Sequence, residues 1–157
     1  MTNFERMIQM AEDIFAVKDD PNQLDISEAV MHRLHELHPN ALIEVDEGEG
    51  PILWVILIPT TTALMNDFIS HKISEKELFE LTPLHATYDA LYLCSAMVLE
   101  EYRRKGLVTK VVEEAYAAMK KEHPIQSLFV WSFTPEGNAS AEAMAKRLEL
   151  PLYKRKN

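Results

Sequence analysis

Met97-Val98-Leu99-Glu100-Glu101-Tyr102-Arg103-Arg104-Lys105-Gly106-Leu107-Val108 decides how the rest of the chain is read. An apolar run at 90–99 reads as a buried strand. It passes through a basic loop with one glycine into an amphipathic helix over 108–121, where Val108, Val111, Val112, Ala115 and Met119 keep the i, i+3, i+4, i+7, i+11 spacing. A helix start leaves about four N–H groups without intrahelical partners and carries roughly half a positive charge, so this junction suits an anion such as a phosphate. Arg103, Arg104 and Lys105 raise the potential there, and Gly106 lets backbone approach a ligand with no Cβ in the way.

Downstream, 127–133 is a second buried strand, which makes 90–133 a parallel strand–helix–strand crossover expected to be right-handed. A last helix carries Ala141, Met144, Ala145 and Leu148 on one face, and 151–154 is a short terminal strand. Upstream, a Thr2/Glu5 capping box precedes a helix over about 3–17 with Phe4, Met7, Ile8, Ala11, Ile14 and Phe15 on one stripe. A break at 19–22 follows, and Asp25 with Glu28 forms a similar pattern ahead of Ile26, Val30, Leu34 and Leu37, a helix ending near His38. Residues 41–47 alternate as a strand. After a turn at 48–51, residues 52–59 are apolar throughout, the mark of a strand buried on both faces. Two short helices, 62–70 and 74–81, the second with a Ser74/Glu77 capping box, form a helical insert at about 61–89. The order predicts an α/β (α+β) fold: a mixed, mainly antiparallel central sheet flanked by helices, in one domain over 1–157.

Composition narrows the function classes. The chain has 157 residues and four glycines, so neither a Walker loop nor a complete G-x-G-x-x-G turn can be written in it. The net charge of −9 opposes nucleic acid as main ligand. No apolar run approaches the roughly 20 residues that span a bilayer, and the first residues lack signal-peptide order, so the expectation is a cytoplasmic protein without membrane contact. The charge is unevenly placed: residues 1–101 hold 5 Lys and Arg against 19 Asp and Glu, and residues 102–157 hold 11 against 6. The first part favours cationic partners and the second anionic ones. Cys94 is the lone cysteine, which excludes an internal disulfide, and it reads as a small buried apolar residue. His32, His35 and His38 share one side of the second helix, but no metal is expected; imidazoles near a helix C-terminus suit the dipole. Trp54 and Trp131 read as core aromatics.

Tyr102 through Leu107 resembles the pyrophosphate loop of the GNAT superfamily of acetyl-CoA-dependent N-acetyltransferases, whose pattern is Q/R-x-x-G-x-G/A between a strand and a long helix. The likeness extends to the strand at 128–133 and to Asn138 with Ala141, similar to the family's N-x-x-A helix start. It implies that Ala96, Met97 and Val98 offer backbone groups to the pantetheine arm of acetyl-CoA. It further implies that the loop from Arg103 through Lys105, Gly106, Leu107 and Val108 to Thr109 cradles the pyrophosphate, and that Asn138 bonds the cofactor's arm. The strand bearing 96–98 would splay from the one bearing 128–132, with a free N–H near Val98 facing the thioester oxygen, where one such donor is worth about 2.7–4 kcal/mol. The sequence also departs from the pattern. Val108 stands where Gly or Ala is usual, Ala145 where a tyrosine often protonates the leaving thiolate, and Glu149-Leu150 where Gly-Phe is customary. Tyr92 occupies the place of an occasional carboxylate base, and its reference pKa of about 10 makes it a poor one. Tyr92 and Tyr153 are the candidate catalytic side chains, with Ser132 and Ser140 beside them. The expected activity is transfer of an acetyl group to an amine of a small molecule or peptide, with a cationic acceptor favoured. The alternative is a catalytically silent module of the same fold that binds acyl-CoA or a protein partner. Eight methionines and exposed strand edges are compatible with a homodimer without requiring one.

Overall fold

In the computed structural model, which describes residues 1–18 and 27–157, one five-stranded sheet organises the chain. Chain order is α1 (Asn3–Lys18), α2 (Glu28–Leu37), β1 (Leu42–Asp46), β2 (Pro51–Thr60), α3 (Thr62–Ile69), α4 (Glu75–Leu81) and β3 (Ala90–Val98). A single 3-10 turn at Glu100–Tyr102 leads to α5 (Leu107–Lys120), β4 (Ser127–Val130), α6 (Pro135–Leu148) and β5 (Leu152–Lys154). The strands lie side by side in chain order, with β1, β2 and β3 antiparallel and β3, β4 and β5 parallel.

Most helix starts follow from their capping residues. Thr2 and Glu5 exchange the two bonds of a capping box, Ser74 and Glu77 do the same for α4, and Ser27, Thr61 and Thr134 accept from the first turns of α2, α3 and α6. The expected roles of Asp25, Ile26, the break at 19–22 and the Phe15 side chain lie outside the described residues. All ten residues of β2 are buried, as a strand covered on both faces requires.

Register assigns the faces. Tyr92, Phe129 and Tyr153 are paired neighbours across β3, β4 and β5, so they share one face. There Tyr92 stacks on Phe129 at 4.9 Å, and Phe68 of α3 sits edge-on to both. Arg155 lies over Phe68 and Trp131, and its Nη1 donates to the carbonyls of Phe68 and Ile73, tying the C-terminal segment to α3 and the turn after it. The helical pair α3–α4 therefore packs as a core layer. None of its residues lines the cleft described below, so it does not shape that pocket. Leu57, Leu93 and Val130 belong to the opposite face and line the cleft.

One strand end differs from the sequence expectation, and the pairing shows why. At β3, Leu57 pairs with Leu93 and Ile56 with Ser95, so Cys94 is an extra residue bulged out of the ladder. The β3–β4 pairing stops at Leu93 and Val130, and β4 ends there instead of at 133. Beyond that point the two strands have no ladder between them. Among the described residues, no helix is long and apolar enough to cross a membrane.

The end of α6 carries a correctable strain. Glu149 sits at φ 57°, with its N–H on the Lys146 carbonyl and the Leu150 N–H on the Ala145 carbonyl, a Schellman end in which glycine is the unstrained residue. Glu149→Gly is expected to raise stability by about 0.5–1 kcal/mol in urea unfolding with the m-value unchanged.

Candidate functional site

Where β3 and β4 part, a cleft of about 1020 Å³ opens. Its floor is Val55, Leu57 and residues 93–96, one wall is Val108, Thr109 and Val112 of α5, and the other is the Gly137, Ser140, Ala141 and Met144 face of α6. A second hollow of about 400 Å³ shares Thr109 and Arg147 with it and reaches Gly106 and Lys110.

Two sets of backbone donors converge here. The Leu99 N–H bonds the Ile52 carbonyl, which sets the phase of the β2–β3 ladder, so Ser95 and Met97 also turn to β2 while Ala96 and Val98 direct their N–H and C=O groups the other way. The outward carbonyl of Val98 accepts from Arg103 Nε at 3.1 Å. The second set is the first turn of α5. Each of the other five helices starts at a Ser or Thr whose side chain accepts a first-turn N–H, whereas α5 starts at Gly106, which has no side chain to offer.

The basic loop takes an unusual path. Arg104 at φ 63° and Gly106 at φ 73° are both left-handed, which a loop doubling back into a helix start requires. Nothing lies within 4 Å of where a Gly106 Cβ would be, so within the chain it is backbone conformation, not crowding, that calls for glycine. Lys105 sits over the Tyr102 ring at 5.5 Å. The loop's approach is pinned by Arg6 of α1, which makes two hydrogen bonds to Glu101 at 2.8 and 2.6 Å and, chiefly through them, draws the Glu101 carboxyl down to about 2.

Residues 64–149, more than half of the chain, match the Acetyltransferase (GNAT) family. The chain belongs to the GNAT acetyltransferase family. Among solved structures it is similar to Naa20 of Chaetomium thermophilum in complex with a bisubstrate analogue, with a TM-score of 0.51 and 16% identity. That likeness covers 81% of this chain and 60% of the other, so it speaks to the fold alone and this chain spans less than two thirds of that one's length. A search of curated proteins found no match.

Within this GNAT chain the structure separates the expected site residues. Ala96, Val108 and Thr109 line the cleft, Gly106 lines the adjoining hollow, and Met97, whose backbone groups turn to β2, is buried. Val108 also packs against the core, so its extra bulk is shared between core and cleft. Asn138 does not line the cleft; the helical phase turns Gly137, Ser140 and Ala141 inward instead. Tyr92 is 0% exposed on the opposite face and donates to Glu75 Oε2 at 2.6 Å; burial, then the Glu75 charge, holds its pKa well above 10. Tyr153 shares that face and is 45% exposed outside the cleft. Neither tyrosine therefore lines the cleft, whereas Ser132, Ser140 and Cys94 do. Trp131 is buried yet also forms part of the wall, with its indole N–H on Asn157 Oδ1. Residues that sequence pattern alone passed over are Thr134, Gly137 and Asp13; the Thr134 cap followed by proline was the available signal for the first two.

The histidines regroup. His38 leaves the α2 helix in an extended conformation and faces Glu122 and His123 beyond α5, instead of joining His32 and His35. Among the described residues these three form a group close enough for a cation. Their hydrogen bonds oppose it: His38 Nδ1 accepts the Asn40 N–H and His123 Nδ1 the Tyr88 N–H, which puts the ring protons on the Nε2 atoms aimed at Glu122. A metal would need those lone pairs free.

Two measurements check these placements. Tyr92→Phe is expected to cost about 1–3 kcal/mol of stability by removing a buried donor to Glu75, while leaving the pH profile of turnover unchanged. For His38, burial lowers the folded pKa below the unfolded value of about 6.5, with Glu122 opposing and His123 assisting. The unfolded chain then takes the proton first, so this contribution is full above about pH 6.5 and is lost as pH falls through that value. His38→Asn should flatten the decline in stability between about pH 7 and pH 5, read by urea titration at each pH.

Proposed function

We propose that this chain is an acyl-CoA-dependent N-acetyltransferase that binds acetyl-CoA along the cleft and passes the acetyl group to an amine of a small molecule or peptide. The observation that carries this reading is that the cleft brings Val108 and Thr109, in the first turn of the uncapped helix α5, to the same lining as Ala96, whose N–H points away from β2. A diphosphate at the first turn of α5 would find the N–H groups of Gly106, Leu107, Val108 and Thr109, with Lys110 beside it and the basic loop at 103–105 adding charge. The pantetheine amides can add to the free side of β3 as a strand would.

The chemistry follows from the same groups. A neutral amine attacks the thioester carbonyl, the C–N bond forms, and the carbonyl oxygen gains negative charge that the outward N–H of Val98 would receive. Collapse breaks the C–S bond, and the proton leaving the nitrogen ends on the departing thiolate, whose reference pKa of about 8.5 asks little of an acid. Ser132, Ser140 or water would carry it, since Ala145 is buried and Tyr92 and Tyr153 lie elsewhere. The acidic first 101 residues, which supply the α1 side of the cleft, favour a cationic acceptor.

A second reading, a module that binds acyl-CoA or a protein partner without turnover, rests on the position of Ala145, whose methyl is 5% exposed in the core where a proton donor would be wanted. Calorimetry with acetyl-CoA followed by a thiol-release assay across amines separates the two: binding with turnover is expected, and binding alone would favour the silent module. Gly106→Val forces a β-branched residue to φ 73° and should weaken acetyl-CoA at least about tenfold with the far-ultraviolet dichroism retained. Unchanged affinity would remove the loop from the site.

A further inference from the structure

Near the C-terminal end of α1, Asp13 lines the cleft beside Ile14, Val55 and Leu57. It is the one carboxylate among the described residues that do so; the other charged members, Lys146 and Arg147, both belong to α6. Arg147 is engaged with Glu113 of α5. Asp13 accepts a hydrogen bond from Gln9 Nε2 at 3.1 Å, a neutral donor that orients the carboxylate, and among the described residues no cation pairs with it. The cleft is thus electrically polar, cationic along α6 and the α5 start, anionic at α1, with an apolar floor between.

We propose that Asp13 binds a second positive charge on the acceptor, one carried away from the nitrogen that is acylated, so that diamines and chains bearing an additional cation are the favoured acceptors. This rests on the acetyltransferase reading above and extends it. The reacting nitrogen must be neutral to attack, and a carboxylate beside it would raise its pKa and hold it protonated. The charge that Asp13 recognises is therefore more useful on a group that takes no part in bond making. The apolar floor of Val55 and Leu57 suits the methylenes that would separate the two nitrogens. The acylation itself is unaltered: amide and free thiol are the products, and the second amine leaves as it entered.

The test uses cadaverine, pentylamine and aminovalerate, equal five-carbon chains whose far ends are cationic, neutral and anionic. With saturating acetyl-CoA at low salt, kcat/KM should fall in that order, the difference residing in KM, and should narrow as salt is raised. Asp13→Asn should bring the cadaverine-to-pentylamine ratio down by about fivefold, the scale of one solvent-exposed ion pair, and Asp13→Lys should invert the order toward aminovalerate. Acetyl-CoA titration of each variant reports that the cleft is intact. Equal turnover of the three amines by the unaltered chain, or an order that persists in Asp13→Asn, overturns the role of Asp13 while leaving the acetyltransferase standing. Acetyl-CoA bound but no thiol released with any of the three overturns both.

Discussion

The structure depends on how the polypeptide disposes of the backbone groups on one side of β3. Up to Leu93 they pair with β4; beyond the bulge at Cys94 they do not, because β4 stops at Val130 and the chain turns away into α6. Unpaired backbone donors shut away from water would cost about 1–3 kcal/mol each, so a chain that leaves a row of them must keep the row wet or supply a partner. The cleft does the first in the free protein and is shaped for the second. The two sides of the opening are held by different forces: β3 by its long antiparallel ladder with β2, and β4 by the stacked Tyr92–Phe129 pair and the Phe68 ring beneath it. An aromatic layer on one face thus stabilises an opening on the other.

Charge follows the same division. The pair Arg6–Glu101 fastens the N-terminal helix to the approach of the basic loop, joining the acidic and basic parts of the chain where an anion would enter. It is solvent-exposed, so its value lies less in net stability than in fixing where α1 ends up relative to the cleft. A helix placed that way brings Asp13 to the cleft wall, opposite the cations of α6.

Much of the architecture was legible from local pattern. The Ser74/Glu77 and Thr2/Glu5 boxes, the α5 stripe and the unbroken apolar run of β2 depend on near neighbours in sequence, and each stands where the spacing places it. The sequence pattern carries this strand to 133 because the composition stays apolar after the ladder has ended at Val130; Trp131 and Phe133 are apolar for the cleft wall and the Arg155 contact, not for a ladder. Asn138 fails as a cleft residue because helical phase, set by the Thr134 cap and Pro135, turns its neighbours inward. Tyr92 was a plausible cleft residue from its place in the strand, but the face it occupies depends on which residue is bulged, and a bulge at Cys94 leaves no mark in a run of apolar residues.

The sequence by itself determined that a strand, a basic loop with one glycine and an amphipathic helix follow one another, because those features are written in residues a few positions apart. Tertiary structure alone decided which backbone groups remain without a strand partner, that His38 meets Glu122 and His123 rather than its helix mates, and that Asp13 shares a cleft with Arg147. Those outcomes rest on register, on one extra residue in β3 and on the packing of α1 against β2 and β3, quantities that exist only once distant segments have come together.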